Sequence, residues 1–190
     1  MEQSAGIPEQ RGTGRERRRF RLGAVIAVAL LVGFGAWLLL RGDDDSKPER
    51  AKPEETTVAD LQQLDEQSGH PVYWVGPRPG IKYEVTRTGN GNVYIRYLTG
   101  GAPIGDEKPN YLTVGSYPFR GAYATLRQSA QQQDTKSGRV SGGGIYVVSR
   151  DRPNSVYVAY PGVQLQIEVY SPSATQARRL VSSGQVRRVG

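Results

Sequence analysis

Residues 22–40 read LGAVIAVALLVGFGAWLLL, nineteen positions without one charged or hydrogen-bonding aliphatic side chain. At 1.5 Å rise per residue such a helix is about 28 Å long, against a bilayer hydrocarbon core of about 30 Å. Lipid offers no partners to backbone N–H and C=O groups, so a single crossing segment has to be a helix. The run therefore predicts a transmembrane helix spanning the membrane through Leu22, Val25, Ile26, Leu30, Leu31, Phe34, Trp37 and Leu40. Trp37 sits near its far end, where an amphipathic indole suits the lipid–water interface.

The flanks set the orientation. Arg11, Arg15, Arg17, Arg18, Arg19 and Arg21 precede the run, whereas Arg41 is followed by Asp43, Asp44 and Asp45. The arginine bias keeps the N-terminus in the cytoplasm and sends the remainder across. A cleaved signal peptide is the alternative, but its apolar core is shorter and ends in a small-x-small site. Here the run ends Leu38, Leu39, Leu40, Arg41, which favours an uncleaved anchor. Gly23 with Ala27 and Ala29 with Gly33 have the spacing of close helix pairs, a pattern ordinary membrane helices also show.

The chain thus divides into a basic cytoplasmic tail (1–21), the transmembrane helix (22–40), a linker (41–57) and an extracytoplasmic domain (58–190). The linker holds four basic and six acidic groups, Pro48 and Pro53, and no large apolar residue, so it reads as a solvated spacer. The distal domain holds fifteen basic and nine acidic residues. The chain has no cysteine, which excludes disulfides, thiolate nucleophiles, cysteine zinc sites and cysteine lipidation. The domain must fold on its apolar core alone, and its length suffices for one.

The distal patterning predicts an α+β fold: an antiparallel sheet of about six strands with two or three short helices packed on one face. Thr57 and Asp60 form a capping box for a helix over 58–68, with Gly69 as its stop. Ile81, Tyr83 and Val85, then Val93, Ile95 and Tyr97, alternate with polar residues on either side of TGNGN, a hairpin signal. Residues 100–109 read as a loop, 111–117 as a strand, 120–131 as a helix, and the glycine-rich 134–144 as a mobile loop. The continuous apolar runs 145–148 and 156–159 read as central strands, and Val163, Leu165, Ile167 and Val169 alternate as another. Ser171 and Pro172 open a last helix with Ala174, Ala177, Leu180 and Val181 inward, ended by Gly184, and 185–189 reads as a short strand.

The segments PVYWVGP (71–77) and SRDRPNSVY (149–157), with the pattern around them, resemble membrane-anchored envelope proteins of actinobacteria. That resemblance covers most of residues 70–190. It implies an envelope location and brings no activity, cofactor or site residue with it.

No catalytic motif stands out. His70 is the only histidine and cannot build a zinc site without carboxylates at ligand spacing. Gly115-Ser116-Tyr117-Pro118 lacks the second glycine of a nucleophile elbow, and neither glycine-rich turn leads into a phosphate-binding helix. Glu84 and Glu168 are the best available carboxylate pair for a glycosidase. Arginines accompany eleven tyrosines, a combination that binds polyanions by charge and stacking. Arg78, Arg96, Arg150, Arg152, Arg178 and Arg179 are the candidate polyanion surface.

The expected function is therefore a membrane-anchored, non-catalytic extracytoplasmic binding module, with no metal or cofactor. Besides the lipid bilayer, its expected partners are an envelope protein or an anionic envelope polymer, nucleic acid being disfavoured by location. Two alternatives remain open. One is a small envelope hydrolase using Glu84, Glu168, Asp151 or His70. The other is a single-pass regulator acting through its basic tail.

Overall fold

The computed structural model describes residues 51–190. The expected cytoplasmic tail, transmembrane helix and most of the linker lie outside the described residues, among which no helix is long and apolar enough to cross a membrane. The described chain is α+β, with an entirely antiparallel eight-stranded sheet ordered β1-β3-β4-β5-β9-β8-β7-β6. Its strands are β1 (Glu54–Thr56), β3 (Lys82–Arg87), β4 (Val93–Leu98), β5 (Leu112–Pro118), β6 (Thr135–Arg139), β7 (Ile145–Ser149), β8 (Ser155–Ala159) and β9 (Leu165–Tyr170). A second, two-stranded sheet pairs β2 (Tyr73–Trp74) with β10 (Arg187–Arg188). The helices are α1 (Val58–Gln67), α2 (Ala122–Ser129) and α3 (Ala174–Ser182).

Two meanders build the large sheet. One runs β3-β4-β5 and the other β6-β7-β8-β9, and they join where β9 pairs with β5. Alternation then decides what each face carries. Tyr83, Val85, Val93, Ile95, Leu112, Val114, Val156, Val158, Ile167 and Val169 share the core face with Leu61 and Leu64 of α1 and Ala177, Leu180 and Val181 of α3. The small sheet closes the same core through Val72, Trp74, Val186 and Val189. Asp65 fastens it to α1, accepting from Val72 N at 2.6 Å and from Arg188 Nε at 2.6 Å.

Five expectations are corrected. The large sheet has eight strands because both of its edges are short strands that carry little apolar signal. β1 lies inside the stretch read as a spacer and pairs Glu55 with Glu84. β6 lies inside the expected mobile loop. Its glycine is covered by a ring, since a Cβ on Gly138 would come within 2.5 Å of Tyr146 Cε1. The helices do not share one face: α2 packs Ala122 and Leu126 on Val147, Tyr157 and Ala159, on the side away from α1 and α3. The last helix starts later than read, because Ser173 and not Ser171 caps it, its hydroxyl accepting from Gln176 N at 3.3 Å.

The remaining elements follow their sequence signals. Thr57 and Asp60 form the reciprocal capping box at α1. Those hydrogen bonds, the one from the Thr57 side chain first, lower the Asp60 carboxyl below its ordinary range.

Candidate anion-binding surface

The second face of the large sheet is polar, yet buried. Glu84, Thr86, Tyr94, Arg96, Thr113, Tyr117, Ser155, Tyr157, Gln166 and Glu168 all lie on it. Two networks satisfy its charges. In the first, Glu84 is fully buried and takes Arg96 Nη1 at 2.7 Å on one oxygen and Gly105 N at 2.6 Å on the other. Arg96 also donates from Nη2 to the carbonyls of Asp106, at 2.7 Å, and Lys108, at 3.1 Å. Its guanidinium lies 4.9 Å from the centre of the Tyr111 ring. Tyr111 in turn donates to Asp106 at 2.7 Å. Bonds from Lys108 N and then Tyr111 hold the Asp106 carboxyl below its ordinary range.

The second network centres on Glu168. It accepts from the hydroxyls of Tyr117 at 2.6 Å, Ser155 at 2.6 Å and Tyr157 at 3.2 Å. Register explains the reach of Tyr117. Gly115 stands opposite Glu168, and the Tyr117 ring folds back over Gly115 to meet the carboxylate. Tyr94 stands edge-on to Tyr117, with ring centres 5.5 Å apart. Burial, followed by the charge on Glu168, raises the phenol of Tyr117 well above its ordinary range and also raises that of Tyr157. Burial pushes Tyr94 up to about 12.

The hydrolase candidates are not gathered. Glu84 on β3 and Glu168 on β9 are three strand spacings apart, about 14 Å at about 4.8 Å per spacing. Glycosidase carboxylates stand roughly 5 to 9.5 Å apart. Asp151 is exposed in the turn between β7 and β8. His70 is half-buried beside the β3–β4 turn, its Nε2 2.8 Å from the Gly91 carbonyl oxygen. No group of three histidine, aspartate or glutamate side chains among the described residues could hold a metal ion.

The six candidate arginines divide. Arg96 belongs inside: at 2 % exposure it is no part of the surface, because Glu84 needs its charge and the 99–110 loop needs its donors. Arg78 is half-buried, 5.8 Å from the Tyr97 ring centre, and its backbone is held by the Tyr83 hydroxyl. Arg179 is exposed on α3, and Arg152 is exposed in the β7–β8 turn.

Arg150 and Arg178 come together. They line one depression of about 120 Å³ with Asp134, Thr135, Lys136, Val148, Ser149 and Pro153. Register places Lys136 opposite Val148, whose side chain is in the core, so both belong to the α3 side of the sheet. Arg150 follows two positions after Val148, and its N–H donates to the Asp134 carbonyl at 2.8 Å, which holds the turn against β6. Arg178 enters from α3. The ion pairs among the described residues, Lys82–Glu55, Arg96–Glu84 and Arg188–Asp65, include none of these three cations. Lys136 is the member the sequence reading missed, because its segment read as a loop. The available signal was a five-residue run joined by three glycines to the apolar run at 145, the outline of a hairpin.

The chain matches no family model, and neither a curated protein nor a solved structure similar to it was found.

Proposed function

We propose that this chain is a membrane-anchored binding module whose extracytoplasmic domain holds an anionic polymer of the cell envelope, without catalysis. The anchor rests on the apolar run at 22–40 and its arginine-rich flank. The binding reading is carried by one observation, the way folding redistributes charge. Of the nine acids in 58–190, Asp65, Glu84 and Glu168 are buried, whereas of the fifteen bases only Arg96 is. With Lys52, Glu54 and Glu55, which the structure adds to the domain, fifteen basic side chains then face eight acidic ones at or near the surface. The separation of Glu84 from Glu168 supports binding over hydrolysis.

Titration of the purified full-length chain with poly(glycerol phosphate), followed by calorimetry, tests the reading. If the basic surface as a whole neutralises three anionic groups of the polymer, the salt slope is roughly −2, taking about 0.7 per charge as for a flexible polyanion. Affinity then falls about fifteen- to twentyfold between 50 and 200 mM salt. No binding at 50 mM salt, or an affinity indifferent to salt, would overturn the proposal.

A further inference from the structure

We infer that the depression among Lys136, Arg150 and Arg178 is an oxyanion subsite that seats one phosphoryl group of that polymer. The inference rests on the binding reading above and deepens it by naming the place and the group. Three independent elements deliver the cations: the edge strand β6, the turn after β7, and helix α3. Convergence of this kind is not a product of local sequence, since Lys136 and Arg178 stand far apart along the chain. Like charges brought together repel, so an arrangement with three bases, one acid and no ion pair among them carries an electrostatic cost that an anion removes.

Size and chemistry agree on the ligand. A space of about 120 Å³ is well above the roughly 10–15 Å³ that one water needs, so a tetrahedral oxyanion with part of its hydration can occupy it. Two guanidinium forks and one ammonium suit an oxyanion with several acceptor oxygens. Asp134, an exposed residue of the same lining, opposes the anion and leaves the lining a net two positive charges. A carboxylate fills one fork in its own plane, whereas the tetrahedral phosphodiester turns its oxygens out of one plane toward donors arriving from three elements, so phosphodiesters are preferred.

Two measurements on the full-length chain in a non-ionic detergent test the assignment. The first is phenylglyoxal modification of arginines, mapped by mass spectrometry with and without inorganic phosphate at constant ionic strength. Arg150 and Arg178 are slowed several-fold while Arg120 and Arg127, on and beside α2, keep their rates. The second is the affinity for poly(glycerol phosphate). Arg178→Gln loses about three- to fivefold, a surface charge contact of up to about 1 kcal/mol, whereas Arg127→Gln loses less than twofold. Equal slowing of all four arginines, or equal losses in the two variants, overturns the subsite while polymer binding by the unmodified chain leaves the broader reading standing. Protection by phosphate with no binding of the polymer overturns the broader reading instead and identifies an adventitious ion only.

Discussion

Replacing Arg96 by methionine isolates the cost of the buried ion pair. The substitution keeps most of the aliphatic volume and removes the guanidinium. Glu84, fully buried, is then left with the Gly105 N–H as its sole partner among those described. Two unit charges about 4 Å apart at an effective dielectric of 20 attract by about 4 kcal/mol. Breaking a buried pair from one side typically costs about 3–5 kcal/mol, so the expected loss is about 4 kcal/mol. The carbonyls of Asp106 and Lys108 add little, because their half-exposed and exposed residues can turn to water. Urea unfolding of residues 51–190 followed by fluorescence reads the change, since Trp74 is the one tryptophan in that fragment and is buried against Tyr83. The discriminating variant is the double substitution Glu84→Met with Arg96→Met, which removes the stranded charge and regains at least about 2 kcal/mol. A single variant within about 1 kcal/mol of the parent, or a double variant no better than the single, would refute the argument that the uncompensated carboxylate sets the cost.

Gly115→Ala forces a Cβ to within 2.6 Å of Tyr117 Cζ, displacing the ring from Glu168. Losing a hydrogen bond to a charged group, with some rotamer strain, predicts about 2–4 kcal/mol of destabilisation in the same urea assay. Thr57→Ala removes the α1 cap and costs about 1 kcal/mol, read as a lowered urea midpoint at unchanged m. Alkaline titration tests the buried phenols. The folded state raises Tyr94 to about 12 and Tyr117 further, so their contribution is intact below pH 10 and is lost as pH rises beyond it. For Tyr94 alone the two-unit shift is about 2.7 kcal/mol. Absorbance at 295 nm and far-ultraviolet circular dichroism should therefore change together above pH 10, and phenolate absorbance that develops without unfolding would contradict the burial.

Strong periodicity was legible and edges were not. The β3–β4 hairpin followed from clean alternation around TGNGN, and the capping box of α1 from two side chains three positions apart. By contrast β1 is three residues with two glutamates, and β6 contains lysine, arginine and glycine. Edge strands bury little and pair on one side only, so their sequences carry no apolar period and often carry charge. The polar face misled in another way. Glu84, Thr86, Arg96 and Glu168 alternate with apolar residues, the normal signature of a solvated face. They are buried because each carboxylate meets donors from neighbouring strands and loops, and those meetings depend on register between segments distant in sequence. Arg96 therefore reads as a surface residue from sequence, and Lys136 gives no signal of its own there because its partners reach it only through the pairing of β6 with β7.

The position of the charges also bears on which anion the domain meets. Glu54 and Glu55 of β1, with Asp60 and Arg87, line a depression at the edge where the described chain begins, and Glu55 pairs with Lys82 at 3.7 Å. Lys136 and Arg139 of β6 occupy the opposite edge, seven strand spacings away, or up to about 34 Å before sheet twist. That distance is several times the screening length of about 8 Å at physiological salt, so the two edges act independently on what approaches them. In the proposed anchored arrangement, an anionic lipid surface next to the point of attachment would meet this edge, where acids outnumber bases. A phosphodiester polymer extending away from the membrane would meet the basic edge, with the acids held out of range. This polarity favours a polymer over the bilayer as the proposed ligand.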